Sequence, residues 1–201
     1  MSRYPRAAKL NTILDVANCY VADLGAPALA DNDKYVVSTV MKNATYTLAN
    51  SGLPGDGLAR NVTVKRTVVA TGADTPGKIT VTGIDLDGLT ITEEIIPGAD
   101  TVVVPGVKAF KQVTSVVGSL WTVQGGNDTI EVGFGTRIGL PRAIRSYPPV
   151  AAATQLFLAY LGTVSVAPVV TWDVDELCKN TVDCSSGTYN GTKRLMAFIA
   201  R

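Results

Sequence analysis

The sequence contains no histidine. That absence removes the commonest general base and the commonest zinc ligand, and it excludes Ser-His-Asp and Cys-His nucleophilic catalysis. Charge is scarce as well: Asp, Glu, Lys and Arg make up 17% of the 201 residues, against roughly 25% in ordinary soluble domains. A chain short of charge has less surface that prefers water. With a mean hydropathy of +0.22, this composition points to association with other chains or with a large partner surface. The two signs nearly cancel, 18 basic against 17 acidic for a net +1, which leaves no electrostatic footprint for nucleic acid. Apolar stretches such as Leu156–Leu161 fall far short of the roughly 20 residues that span a bilayer, so no membrane partner is expected. The opening Met1-Ser2-Arg3-Tyr4-Pro5-Arg6 is basic but is not followed by an apolar run, so no secretory signal is expected. Aromatics, at 6%, leave little material for a sugar-stacking face.

Cysteine is also sparse. Cys19, Cys178 and Cys184 are the three present, and an odd set is no disulfide framework. Cys178 and Cys184 stand six positions apart in a loop-like stretch and are close enough in sequence to bridge. The simpler expectation is free thiols in a protein made in a reducing cytoplasm. No Cys or carboxylate set has ligand spacing, so no metal, no cofactor, no catalytic residue and no small-molecule substrate are expected.

What the sequence does have is strand after strand. Tyr35–Met41 is rich in β-branched residues, with Thr45–Leu48 as an extension after a kink, and Asn61–Thr71 partly alternates. Lys78–Ile84 alternates cleanly, placing Ile79, Val81 and Gly83 on one face. Asp87-Gly88 reads as a two-residue hairpin turn before Leu89–Ile96. Thr101–Val104, Ala109–Val117, Asp128–Phe134, Thr154–Tyr160, Ser165–Asp173 and Lys193–Ala200 continue the series, separated by Gly, Pro and Asp. The spacing predicts an all-β fold, an antiparallel β-sandwich of jelly-roll type over 35–201. Residues 1–34 are expected to form an N-terminal arm or cap. Within it Leu10, Ile13, Leu14, Ala17 and Val21 share a helical face over Asn11–Leu24, and Gly25-Ala26-Pro27 would stop that helix. The arm also carries Arg3, Arg6 and Lys9 with no acid before Asp15. Arg3, Arg6, Lys9, Leu10, Ile13 and Leu14 are therefore candidate partner contacts.

Other patterns have plainer explanations. Asp85-Leu86-Asp87-Gly88 superficially suggests a calcium loop, but it lies between strands, where a tight turn demands the same residues. Gly133-Phe134-Gly135-Thr136-Arg137-Ile138-Gly139 misses the dinucleotide spacing and is not followed by a helix, so it reads as a glycine-kinked strand end or bulge. Asn43, Asn61, Asn127 and Asn190 head glycan-acceptor triplets that mean nothing without a secretory route. Glu93 and Glu94, adjacent in a strand, point to opposite faces and cannot act as a catalytic pair. Arg137, Arg142 and Arg145 cluster on an expected loop, either solvated or facing an acidic neighbour. Trp121, Trp172 and Tyr189 are the aromatics suited to a sugar site, and each also suits a core or interface.

Three stretches carry a family resemblance. They are Gly77–Ile96 around its Asp-Gly turn, Val107–Val116 (Val-Lys-Ala-Phe-Lys-Gln-Val-Thr-Ser-Val), and Ile130–Gly135 with Ile138-Gly139-Leu140-Pro141 after it. This succession is similar to β-sandwich virion proteins of tailed bacteriophages, and the Asn190–Arg194 ending fits as well. The likeness is weaker over residues 1–60. It is nearest to capsid decoration, or cement, proteins. The resemblance implies a structural protein on the outer capsid surface, cementing neighbouring major capsid protein subunits and associating with itself as a homotrimer. It also implies synthesis in the host cytoplasm, residence in the virion and no catalytic residues. The alternatives are a tail or head–tail connection protein, a receptor- or carbohydrate-binding module, and a hydrolase built on Asp and Glu.

Overall fold

The structure is a computed structural model that describes residues 19–69, 74–123, 127–140, 158–173, 175–184 and 188–200. Among the described residues there is no α-helix, only strands and two short 3-10 turns at Asn50–Gly52 and Leu177–Lys179. The thirteen strands are β1 (Cys19–Asp23), β2 (Asp31–Val40), β3 (Arg60–Thr67), β4 (Lys78–Ile84), β5 (Thr90–Ile95), β6 (Val103–Phe110), β7 (Gln112–Ser119), β8 (Thr129–Gly139), β9 (Leu158–Leu161), β10 (Val164–Val166), β11 (Val169–Thr171), β12 (Thr181–Asp183) and β13 (Leu195–Ala200). All pairings between them are antiparallel. They form a four-stranded sheet β1-β13-β9-β10, a six-stranded sheet β11-β12-β8-β3-β6 in which β2 also pairs with β8, and a three-stranded sheet β5-β4-β7. One of the sheets curls into a half-barrel.

Two cores result. The larger packs Tyr35, Val62, Val64, Ile130, Val132 and Phe134 of the six-stranded sheet against Ile79, Val81, Ile95, Val113 and Val116 of the three-stranded one. The alternation in β4 places Ile79, Val81 and Gly83 inward as expected. The smaller core joins Ala22, Leu24, Ala159, Leu161, Leu195 and Ala197 around the four-stranded sheet to Ile138, Leu140 and Val182. β8 serves both: its first half feeds the larger core and its last residues the smaller.

Several expected elements differ. The part of the proposed helix that is described, Cys19–Asp23, is a strand paired with β13, from Cys19↔Ala200 to Asp23↔Met196. Ala22 and Leu24 are buried while Val21 and Asp23 are exposed. The burial period is two, and pairing with a distant strand selected it over the helical spacing of Leu10, Ile13, Leu14 and Ala17. The strand expected at Tyr35–Met41 begins earlier, at Asp31. Ala109–Val117 is not one strand. The chain turns at Lys111, leaving β6 in the six-stranded sheet and entering β7 in the three-stranded one, with the Lys111 N–H donating to the Ile84 carbonyl at 2.8 Å. Conversely Pro105-Gly106 does not end a strand, because β6 runs through it. Ser165–Asp173 is broken at Ala167-Pro168 into β10 and β11, which belong to different sheets. Thr45–Leu48 makes one isolated bridge, Thr45↔Val117. The β4–β5 connection has five residues, Asp85–Leu89, rather than two, with the Asp85 N–H donating to the Leu89 carbonyl at 3.0 Å. Gly88 takes φ 77°, and the Asp85 carboxylate accepts the N–H groups of Asp87 (2.8 Å) and Leu89 (3.0 Å).

β2 lies so tightly on β8 that a Cβ at Gly133 would sit 1.8 Å from the Asp31 carbonyl oxygen. Gly133→Ala is therefore expected to push β2 off β8 and destabilise the fold by about 1–3 kcal/mol, read as a lower urea midpoint. Gly57→Ala, where a Cβ meets nothing within 4 Å, tests the positive-φ backbone alone and is expected to cost about 1 kcal/mol.

Candidate functional site

β3 is flanked by two strands that bulge at adjacent positions, β8 opposite Asn61 and β6 opposite Val62. Between the pairs Val62↔Phe134 and Arg60↔Ile138, β8 advances four positions while β3 advances two. Between Thr63↔Pro105 and Asn61↔Ala109, β6 advances four while β3 advances two. A bulge leaves backbone groups without ladder partners, and in an interior they must find others. Three buried polar side chains supply them. The Asn61 amide accepts from the Arg137 N–H (3.0 Å) and donates to the Gly106 carbonyl (3.2 Å). The Arg60 guanidinium donates from Nε (3.1 Å) and Nη2 (2.6 Å) to the Gly135 carbonyl. The Glu93 carboxylate accepts from the N–H groups of Val107 (2.6 Å) and Lys108 (3.3 Å).

Arg60 does more. It is fully buried, pairs with Asp56 at 2.7 Å, donates to the Ala28 carbonyl at 3.2 Å, and lies 4.9 Å from the Phe134 ring and 5.6 Å from the Tyr189 ring. Asp56 also accepts the N–H groups of Ala28 (3.2 Å) and Leu58 (3.0 Å). Burial pushes the Arg60 pKa down, and the Asp56 charge opposes that.

Above this pair opens a groove of about 810 Å³, whose lining includes Ala28, Asp31, Asp33, Asp56, Glu131 and Phe134. Arg60 holds Ala28, Asp56 and Phe134, so the buried pair shapes the groove floor. Asp31 and Asp33 lie in an irregular stretch of β2, where the register against β8 shifts between Asp31 and Val36, and the Asp33 N–H donates to Asp31 Oδ1 at 3.4 Å. Asp31 is pushed up by burial first and then by its hydrogen bond with Asp33. Glu131 is matched by Lys65 at 3.0 Å. A second groove of about 540 Å³ runs over Leu24, Leu58, Ala59 and Ile138, with Asp23 and Arg194, an ion pair, among its lining residues.

Of the residues singled out from sequence, Arg3, Arg6, Lys9, Leu10, Ile13, Leu14, Arg142 and Arg145 lie outside the described residues. Arg137 is described and is not on a loop. It sits in β8, half-buried, with its Nη1 3.5 Å from the Gly106 carbonyl. Glu93 and Glu94 do point apart: Glu93 reaches inward, and Glu94 pairs outside with Lys78 at 2.6 Å. Trp121 and Tyr189 are buried core residues, and Trp172 packs partly buried against the smaller core. Cys178 and Cys184 are free and buried. Burial pushes the Cys184 thiol up to about 11 and raises Cys178 too. Asn43 and Asn61 have structural duties, Asn43 clasping the backbone of Trp121 through its N–H (2.7 Å) and carbonyl (2.9 Å). Among the described residues no group of three or more Cys, Asp or Glu is placed to hold a metal ion, and no helix is long and apolar enough to cross a membrane. The groove and the Arg60–Asp56 pair were not anticipated. A Pro-Gly and a Gly-x-Gly in facing strands, opposite an Arg-Asn pair, are their only trace in the sequence. No family profile, curated protein or solved structure matches the chain.

Two outcomes test this polar framework. Arg60→Met leaves Asp56 buried without its cation and the Gly135 carbonyl without its donors. A loss of about 3–5 kcal/mol is expected on urea unfolding. Glu93 behaves oppositely. Burial raises its pKa in the fold against two backbone hydrogen bonds that lower it, so the folded state resists ionising it. Its contribution to stability is greatest below the ordinary glutamate pKa and is lost as pH rises through the raised value. Glu93→Gln keeps an acceptor for Val107 and carries no charge. Its stability relative to wild type should rise with pH across that window, followed by urea midpoints from acid to neutral pH.

Proposed function

We propose that this chain is a structural virion protein of a tailed bacteriophage, one that binds the outer capsid surface and cements neighbouring major capsid protein subunits. In this reading its sheets stack as a jelly-roll-like sandwich, it self-associates, and it resides on the particle after synthesis in the host cytoplasm. It performs no chemistry.

The observation that carries the reading is the surface. On a chain short of charge, large apolar side chains remain in water at strand edges and ends: Leu120 at 73%, Ile96 at 69%, Val169 at 67% and Val164 at 56% exposure. β10 and β11, which hold Val164 and Val169, are terminal strands of two different sheets. Leu120 is held at φ 60°, an uncommon conformation for a bulky residue, with Asn43 clasping the next residue. Such a side chain presented outward suits a docking contact. The buried framework around Arg60, Asn61 and Glu93 fits a protein whose task is rigidity, because each of these polar groups serves the backbone. The sequence resemblance supplies the phage and capsid parts of the reading.

Quantitative mass spectrometry of purified phage particles tests it. Hundreds of copies per particle are expected. A handful of copies would place the protein in the tail or at the head–tail junction instead, and none would return attention to hydrolysis.

A further inference from the structure

Seven strands open onto one end of the larger core. β2, β3, β5 and β7 leave it there at Val40, Thr67, Ile95 and Ser119, and β4, β6 and β8 enter it at Lys78, Val103 and Thr129. The register holds these ends together: Val40 and Thr67 both face Thr129, Lys65 faces Val103, Ile79 faces Ile95 and Lys78 faces Ser119. Between the two sheets, the Met41 N–H donates to the Asp128 carbonyl at 2.9 Å, Thr75 bridges Thr122, and Asn43 clasps Trp121. The described residues of this end therefore form one surface. Its large side chains are apolar: Val40, Val69, Ile96, Val102, Leu120 and Val123 are between 47% and 73% exposed. They leave on the order of 500 Å² of apolar surface in water, at the upper end of what one patch on a monomer exposes. A standard interface takes about 800 Å² from each partner, so this end with its polar rim supplies one side of such an interface.

The backbone is strained at the same end. Thr101 and Leu120 hold φ 61° and 60°, a conformation that costs a side chain bearing Cβ and tends to mark contact sites. In Leu120 the result is a leucine projected into water, which nothing within the described chain repays. The charges say what covers it. Arg66, Asp74 and Asp128 are buried beneath the surface, and Lys78 and Glu94 at its edge pair with each other. That leaves Lys42 and Asp100, both exposed and without an ion-pair partner among the described residues. They stand on opposite flanks. Lys42 lies where β2 meets β7, its carbonyl oxygen 2.2 Å from where a Cβ on Gly118 would be. Asp100 lies beside β3, accepting the Val68 N–H at 2.8 Å. One cation and one acid offer no net charge to an acidic or a basic partner. They do suit a second copy of the same surface: a two-fold axis midway between the flanks sets Lys42 of each copy beside Asp100 of the other, twice over.

We propose that this end of the larger core binds the same end of a second copy, forming a two-fold dimer with Leu120 and its apolar neighbours at the centre and Lys42–Asp100 pairs on both flanks. The contact joins copies in twos, where the family resemblance implies threes. It goes beyond the capsid reading: pairing in solution is measured without particles, and copy number on particles is measured without it.

Sedimentation equilibrium of the full chain tests it. Wild type should be a dimer at about 100 µM, dissociating on dilution. Leu120→Asp should weaken pairing by at least ~100-fold, because it places a carboxylate at the centre of the contact in both copies. It should leave the near-UV circular dichroism spectrum unchanged, since aspartate adopts the positive φ of position 120 more readily than leucine. Ile96→Asp, on a different connection, should act in the same direction and guards against a local fault at position 120. K42E sets acids face to face on both flanks and should weaken pairing by at least ~10-fold, and adding D100K should restore it. V164D, at an exposed valine of the smaller sheet, should change nothing. A wild type that is monomeric up to about 100 µM overturns the proposal and leaves this surface to the capsid. A trimer overturns it, and so does a dimer indifferent to L120D and I96D or equally sensitive to V164D. A K42E/D100K variant with the native spectrum that fails to pair again overturns the charge-matched arrangement and with it the choice of a second copy.

Discussion

A bulge in the middle of a sheet leaves amide and carbonyl groups facing nothing, and this fold contains two of them side by side. β8 loops out between Arg60 and Val62, and β6 loops out one residue further on, between Asn61 and Thr63. The interior tolerates this only because Asn61 bonds one bulge on each side, Arg60 closes the β8 bulge and Glu93 closes the β6 bulge. Leaving such groups unmet costs about 1–3 kcal/mol apiece. The buried polar residues at the centre are thus consequences of the backbone path. Their positions then dictate much else: Arg60 requires Asp56, Asp56 fixes Ala28 and Leu58, and those residues shape the groove that overlies them.

The strand content was legible in the sequence because period-two patterning and turn residues are local signals. Lys78–Ile84 was readable to the residue, since both of its faces are well defined. Boundaries failed where a strand changes partner. At Lys111 the side-chain pattern continues unbroken while the chain passes from one sheet to another, so nothing local marks the corner. At Pro105-Gly106 and Gly133–Gly139 the opposite happened: turn residues sit inside continuous strands because they accommodate bulges and the close crossing of β2. β1 was misread because its apolar spacing suits a helix as well, and the choice was made by β13, far along the chain.

The groove was less legible than the fold. Asp31 and Asp33 look like ordinary polar residues before a strand, and Asp56 like one more turn aspartate in Pro54-Gly55-Asp56-Gly57. Their shared location depends on Arg60, a residue that sequence reasoning would leave on the surface, since arginine is almost never fully buried without a partner. The aromatic residues went as their chemistry favours: Trp121 and Tyr189 fill cores, and the Tyr189 hydroxyl accepts the Cys184 N–H at 2.7 Å. Arg137 was drawn into β8 by the same bulge that made its surroundings look like a loop.

The pairing of β1 with β13 has a consequence during biosynthesis. The ion pair between Asp23 and Arg194 at this junction spans 171 positions. At roughly 5–20 residues per second, a ribosome needs on the order of ten to thirty seconds to make that stretch. Throughout that time β1 is a finished strand without its neighbour, while β2, β3 and the strands of the larger core already have theirs as β8 emerges. On a polysome, several nascent chains would hold the same unfilled edge close together. The four-stranded sheet is therefore the part of this molecule most exposed to capture by a sister chain, and the scarcity of charge elsewhere in the sequence gives it little protection while it waits.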